Sequence, residues 1–295
     1  NIGGGAEKIQ YFVSAGFLDQ GGLYNWVDDL YQRYNVMTNI SSQVNNWLRF
    51  DFSTKYSRTE TDRPLGIVGQ PQSYIHRQFL SFGPLMPKYN EDGTISNPLI
   101  RALQDNGREH IQKNDLALTL KGEIEPVKGW ITSVSYNYNY GGSSNIQNPK
   151  PVDVQNPNGT IGNIGAPQSG SVEQLAYSYY NLLNVITSYE KQFGDHYFKV
   201  LAGYEQEKNY FRGLYGSKME LITEEVPSIN TALGAVTLSD EISHWATEGI
   251  FGRLNYNYKE KYLLEFSARY NGSSRFAKNS RWGFFPSVSA GYNIS

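Results

Sequence analysis

Apolar and polar residues alternate with a period of two along most of this chain, the pattern of β-strands whose two faces meet unlike surroundings. Ile9, Tyr11, Val13, Ala15 and Phe17 alternate with Gln10, Ser14 and Gly16. Leu48, Phe50, Phe52, Thr54 and Tyr56 alternate with Arg49, Asp51, Ser53 and Lys55, which puts every charge on one face and leaves the other apolar and aromatic. The pattern returns at Leu116, Leu118, Leu120 and Ile124, at Trp130, Thr132, Val134, Tyr136, Tyr138 and Tyr140, and at Phe198, Val200, Ala202 and Tyr204. It returns again at Ile250, Gly252, Leu254, Tyr256 and Tyr258, at Leu264, Phe266, Ala268 and Tyr270, and at Val288, Ala290, Tyr292 and Ile294. These runs predict an all-β chain of about ten antiparallel strands, several of about 10 residues or more, against roughly 5–6 in soluble proteins.

The connections alternate too. Short turns are expected at 42–46, 125–129, 194–195 and 259–261. Long segments rich in Gly, Pro and Asn are expected at 20–33, 62–113, 141–174, 213–245 and 272–283. Short turns on one side and long loops on the other are the asymmetry of outer-membrane barrels. Tyr and Trp crowd the strand ends, as at Tyr136, Tyr138, Tyr140, Trp130, Tyr256, Tyr258 and Tyr262. An amphipathic ring is most stable where headgroups meet hydrocarbon, so the crowding reads as interfacial girdles.

Composition fits that reading. Aromatics make up 14 % of the 295 residues, with 23 Tyr, and the mean hydropathy is −0.52. No window reaches the roughly 18 apolar residues of a spanning helix. A spanning strand shows lipid only at every second residue, so a barrel wall averages out as hydrophilic. The net charge of −2 is scattered along the chain, which argues against a nucleic-acid partner. Without cysteine there is neither a disulfide framework nor a thiolate metal site. The chain opens on Asn1 with no basic and apolar leader, as a mature or truncated chain would, and it stops at Ser295 inside an alternating pattern, as if a strand were cut from its partner.

No catalytic or metal constellation stands out, and neither catalysis nor a cofactor is expected. His76, His110, His196 and His244 lack the i,i+4 spacing of ligands and read as loop or turn residues. The pairs Glu123/Glu125, Glu205/Glu207 and Glu224/Glu225 read as same-face strand carboxylates in a polar lumen rather than an acid–base pair. Gly3–Gly5 precedes no GK[ST] and reads as flexible loop. The sequons at Asn39, Asn158 and Asn271 carry no weight on a bacterial barrel. Arg253, Arg269, Arg275 and Arg281 either line a transport path or pair with Glu248, Glu260 or Glu265 across strands.

Three stretches resemble the SusC/RagA family of TonB-dependent transporters. One is Gly3–Gly5 followed by Tyr11-Phe-Val-Ser-Ala-Gly-Phe-Leu-Asp-Gln-Gly-Gly22. Another is Pro84-Leu-Met-Pro87 with Tyr89-Asn-Glu-Asp-Gly-Thr94. The most specific runs from Gly249-Ile-Phe-Gly-Arg-Leu-Asn-Tyr256 through Lys261-Tyr-Leu-Leu264, Arg269-Tyr-Asn-Gly-Ser-Ser-Arg-Phe276 and Gly283-Phe-Phe-Pro-Ser287 to Gly291-Tyr292. The resemblance implies that residues 1–295 are part of a single transmembrane barrel domain of about 22 strands, with the plug domain and the closing strands absent from this chain. It also implies the bacterial outer membrane, TonB acting through the plug, and a SusD-like surface lipoprotein as a lid. Cargo would be glycan or peptide, with pairing of two such complexes an option.

Substrate contacts are expected from aromatic and cationic residues in the long segments: Tyr24, Trp26, Tyr89, Tyr215, Trp245 and Arg275. Rival classes are a passive porin and a soluble secreted glycan-binding β-protein. The membrane reading requires Phe50, Val134, Ala202, Leu264 and Val288 to face outward instead of meeting in a closed interior.

Overall fold

The computed structural model describes residues 1–22, 26–66, 97–155 and 160–294, with Tyr89, Gly93 and Ile95. Its strands are β1 (Ile2–Ala6), β2 (Ile9–Gly21), β3 (Leu30–Asn45), β4 (Leu48–Pro64), β5 (Gly107–Val127), β6 (Trp130–Pro149), β7 (Asp153–Gln155) and β8 (Ile161–Asn163). They continue as β9 (Gly170–Phe193), β10 (His196–Met219), β11 (Val236–Tyr258), β12 (Tyr262–Ser273) and β13 (Trp282–Tyr292), with the helix α1 (Pro98–Asp105) before β5. Eleven strands form one sheet in the order β1-β2-β3-β4-β5-β6-β9-β10-β11-β12-β13. Each is antiparallel to the next, an up-and-down meander, and β7–β8 is a separate small hairpin.

At one end the strands join through tight turns. Gly129 takes φ +87°, and a Cβ there would stand 2.6 Å from the Glu190 carbonyl oxygen, so the turn after β5 requires glycine. Lys259 and Glu260 hold left-handed φ values of 52° and 56° in the turn after β11. Asn293 Nδ2 fastens that turn by donating to the Glu260 carbonyl at 2.6 Å.

The register sorts the side chains. Across the sheet Phe50 faces Gly122, Gly122 faces Val134, Val134 faces Val185 and Val185 faces Tyr204. Ala202, Leu264 and Val288 lie on this same face. Nothing among the described residues covers it: Phe50 is 52 % exposed, Val134 46 % and Val288 66 %. A soluble sandwich would bury these side chains against a second sheet. Here they form a bare apolar wall, the surface that hydrocarbon covers in a barrel.

Aromatic bands bound this wall. Near the tight turns lie Trp130, Tyr189, Phe198, Tyr256, Tyr258, Tyr262 and Tyr292, with Tyr262 and Tyr292 ring centroids 5.1 Å apart. Near the other end Tyr138, Tyr140, Tyr177, Tyr179 and Tyr210 form a ladder with centroids 5.5–6.3 Å apart. Ten residues separate Tyr189 from Tyr179 on β9. At roughly 3.3 Å each and a tilt of about 40° they span about 25 Å along the membrane normal, the height of an outer-membrane apolar band.

Above the upper ladder the strands continue, and on β4 the outward face turns polar. On β4 the face that carries Leu48, Phe50, Phe52 and Tyr56 goes on to Arg58, Glu60 and Asp62. Arg58 pairs with Glu60, and Arg108 Nε reaches Asp62 at 2.7 Å. The loops are therefore shorter than the alternation predicts: residues 62–64, 107–113, 141–149, 170–174, 213–219 and 236–245 all belong to strands. Apolar alternation ends where lipid ends, and backbone pairing does not. Gly3–Gly5 likewise lies in β1, paired with Gln10–Phe12, instead of a loop. His110, His196 and His244 sit in strands β5, β10 and β11 rather than loops, and His76 lies outside the described residues.

The buried apolar side chains gather beyond the wall, in a crown at the long-loop end. They are Leu99, Ile100, Ala102 and Leu103 of α1 with Val152, Ala166, Val172 and Ala232. The helix starts where Asn97 caps it, its side chain accepting from Leu99 N at 2.9 Å, with Pro98 preset for the first turn.

Candidate functional site

The face opposite the apolar wall carries most of the sheet's charged and polar side chains, with a few apolar ones such as Leu182 and Ile186 among them, and is the face that a closed barrel turns to its lumen. Two clusters stand out on it. One lies in the crown, where Glu109 near the start of β5 is nearly buried. Arg63 on β4 reaches it at 2.6 Å, and Asn145 and Gln147 on β6 donate at 2.9 and 2.8 Å. Glu109 lies beyond the membrane-spanning part of β5, Leu116–Ile124. Burial pushes its pKa up; the hydrogen bonds from Asn145, Arg63 and Gln147, with the Arg63 charge, outweigh burial and hold the carboxyl below its ordinary value.

The crown is cross-braced by polar contacts between loops. Asn106 is fully buried: its side chain donates to the Gly66 carbonyl and accepts from Ala166 N at 3.1 Å, while its own carbonyl accepts from Lys150 N at 3.1 Å. Gln104 donates to the Trp26 carbonyl at 3.0 Å and Arg108 to the Asp28 carbonyl at 2.7 Å, tying in the loop after β2. Lys150 meets Glu224 at 3.0 Å and Gln168 meets Glu220 at 3.1 Å, tying in the loop after β10.

The second cluster is a chamber of about 510 Å³ walled by β10, β11, β12 and β13. Glu205 and Glu207 of β10, Thr247 of β11 and Arg269 of β12 point into it from the lumen face. Arg269 pairs with Glu205, donates to Asn271 Oδ1 at 2.6 Å and lies 5.3 Å over the Phe251 ring. Glu207 accepts from the Tyr180 and Thr247 hydroxyls, each at 3.2 Å. One same-face step along β11 stands Trp245, its ring centroid 6.4 Å from that of Tyr180 and 5.0 Å from the Arg275 guanidinium.

Of the six residues singled out from sequence, Trp245 and Arg275 are brought together here. Tyr215 lies higher on the lumen face of β10, opposite Gln174 and Ser239. Trp26 sits in the crown, and Tyr89 forms a bridge with Ile95 and is 52 % exposed. Tyr24 lies outside the described residues. Of the predicted cross-strand arginine pairs, Arg253 meets Glu265 at 3.7 Å. Arg269 takes Glu205 instead, and Arg281 donates to the Phe276 carbonyl at 3.1 Å. Tyr180 escaped the sequence reading because it sits in the run Tyr177-Ser-Tyr-Tyr180, and only the register shows that it faces the lumen while Tyr179 faces lipid.

Comparison with known proteins agrees with this architecture. The family described as "TonB dependent receptor-like, beta-barrel" matches residues 10–295. TonB-dependent receptor P3 of Formosa agariphila is 26 % identical over 99 % of this chain and 29 % of its own length. TonB-dependent receptor SusC of Bacteroides thetaiotaomicron is 24 % identical over 100 % of the chain and 30 % of its own length. The RagAB peptide importer in its open-open state superposes with a TM-score of 0.76 at 17 % identity, over 98 % of this chain and 32 % of that one. The chain thus spans about three tenths of the length of the curated relatives it matches. The open eleven-stranded sheet is accordingly a portion of a larger barrel wall. With its bare apolar band and paired girdles this wall lies in a bacterial outer membrane, and the chain belongs to the TonB-dependent receptor β-barrel family.

Proposed function

We propose that this chain is part of the barrel wall and crown of a SusC-like importer, which takes glycans or peptides across the outer membrane under TonB control. In this reading residues 1–295 belong to one barrel domain, and the plug and closing strands are supplied by the rest of the protein. A SusD-like surface lipoprotein captures cargo above the crown, two such pairs can associate, and the chain itself performs no covalent chemistry. The observation that carries the reading is the pairing of a bare apolar face with a lumen face rich in charge and aromatic rings. Such a wall separates lipid from a polar route, and the family supplies the energy coupling.

A passive porin shares the wall and needs no energy. Uptake of fluorescent oligosaccharides and oligopeptides by the native host decides between them. Import through the full-length protein should stop when TonB is deleted or the proton gradient is collapsed. Uptake that survives both treatments, and that requires this protein, identifies a porin.

A further inference from the structure

We infer that the upper part of β11 is an open sheet edge, to which the surface lipoprotein of the import reading adds a strand of its own above the β12–β13 hairpin. The inference rests on that reading and adds the place and the chemistry of the contact. β11 is paired with β10 along its whole length, Val236 facing Lys218 and Tyr258 facing His196. On its other side β12 reaches only as far as Ser273, opposite Thr247. The last contact there is at Ala246, which donates to Ser274 Oγ at 2.8 Å and accepts from Ser274 N at 2.9 Å. Those bonds also set the parity. Every second residue of an antiparallel strand directs N–H and C=O to the same side, so Leu238, Asp240, Ile242 and His244 direct theirs, like Ala246, away from β10. No described residue pairs with them there, and residues 236–244 are all exposed. Sheet proteins commonly blunt such an edge with proline, lysine or a bulge. Residues 236–246 contain neither proline nor lysine, and their register with β10 runs without a shift. Glu248, the outward-facing residue next above Ile250, ends the apolar belt on β11, so the edge stands in water.

The occupant follows from the groups on offer. A row of main-chain donors and acceptors at strand spacing is matched by another extended main chain, not by a sugar. Leu238 and Ile242, 67 % and 54 % exposed, lie on the outer face, while Thr237, Ser239 and Ser243 lie on the inner one. The added strand therefore alternates apolar outward and polar inward. Asp240, met by Arg212 only at 3.9 Å, and Glu241 call for a Lys or Arg beside them. Arg275, Lys278 and Arg281, between β12 and β13 at the foot of the edge, have no carboxylate within salt-bridge reach among the described residues and call for an acidic group. The larger barrel continues from the free side of β13, so its next strand lies about 14 Å from β11, beyond hydrogen-bonding reach. Edges of two copies that pair as equals run antiparallel about an axis through the sheet, which would stand the second copy upside down in the membrane. Cargo has to pass down the lumen, whereas a strand seated here lies in the plane of the wall with the β12–β13 hairpin closing its way down. A lasting protein partner on the cell surface fits, and the lid lipoprotein is that partner.

The test uses the full-length receptor purified in detergent from its native host with its lipoprotein, identified in mass spectrometry by the covalent lipid. Hydrogen exchange is compared between this complex and the receptor stripped of its partner. The amides of Leu238, Asp240, Ile242 and His244 should exchange freely in the receptor alone and about tenfold or more slowly in the complex. Leu238→Pro and Ile242→Pro each remove one open-side donor and leave the β10 ladder intact. Each should weaken lipoprotein binding about tenfold, with the heat-modifiable migration of the barrel unchanged. Leu238→Thr and Ile242→Thr, which alter side chains alone, should weaken it less. Any of five results overturns the proposal: a wild-type receptor that purifies without a lipoprotein, amides already protected in the receptor alone, no added protection in the complex, assembled proline variants that bind as wild type, or protection conferred by a mixture of oligopeptides instead. Should a proline variant fail to assemble, the exchange comparison on the wild type decides. Uptake that survives loss of TonB would overturn the import reading and leave the exchange result standing, so the two failures are distinguishable.

Discussion

At the scale of single residues, the crown rests on a few positions with no substitute. Gly107 holds φ +93°, and a Cβ there would fall 1.8 Å from the Asn148 carbonyl oxygen. Gly107→Ala should loosen the junction of α1 and β5 by about 2 kcal/mol or more, seen as faster proteolysis of the outer loops on intact cells. Glu109 makes a different prediction, since its carboxyl is held below its ordinary 4.5. A depressed folded pKa contributes stability that is fully present above the unfolded value and lost as pH falls through the folded one. Amide protection factors across the crown, with the intrinsic pH dependence of exchange divided out, should therefore be unchanged from pH 7 to pH 5 and fall below pH 4.5. Glu109→Gln should abolish that acid dependence and cost about 1–3 kcal/mol at neutral pH by stranding Arg63. Neither role was legible in the sequence: Glu109 lies in a stretch of mixed polarity, and its partners are 36 to 46 residues away.

At the scale of strands, the belt was legible and its continuation was not. Period two identifies a segment only where its two faces meet different media. β4 shows this over Leu48–Tyr56, and above Tyr56 both faces are polar although the strand runs to Pro64. β9 was opaque for the opposite reason, because Leu182 and Ile186 on the lumen face interrupt the alternation with Leu183 and Val185 on the lipid face. The two faces of β6 offer a direct comparison. Val134→Lys places a charge near the middle of the apolar band and should cost about 2–4 kcal/mol, whereas Ser135→Lys faces the lumen and should cost little. Heat-modifiable migration of the assembled barrel in outer-membrane fractions measures both. Equal behaviour of the two variants would contradict the assignment of faces.

At the scale of the whole molecule, the wall has no interior of its own. Its apolar side chains are bare in isolation, so extraction of the native protein should require detergent, and a chain that stays in aqueous solution without it would contradict the membrane placement. Two features argue for a rigid mouth: strands of up to 24 residues that rise well past the upper tyrosine ladder, and loops tied to one another through Asn106, Arg108 and Lys150. The chamber next to that mouth was only half visible beforehand. Trp245 and Arg275 announce themselves as loop-proximal residues of suitable type, whereas Tyr180 and Glu207 join them only through a pairing that brings β9, β10 and β11 side by side.

The Glu109 node also checks the weave. Its partners come from β4 on one side and β6 on the other, all directed to one face by a register that is continuous down to the belt. A slip of one residue between any two of these strands would turn a partner outward and carry Asn148 off the position that Gly107 vacates for it. A misaligned wall could still cover its lipid face with rings and aliphatics, and it could not close its crown. The crown is the place where the molecule distinguishes its correct threading from near misses, and surface proteases would meet the misthreaded copies first.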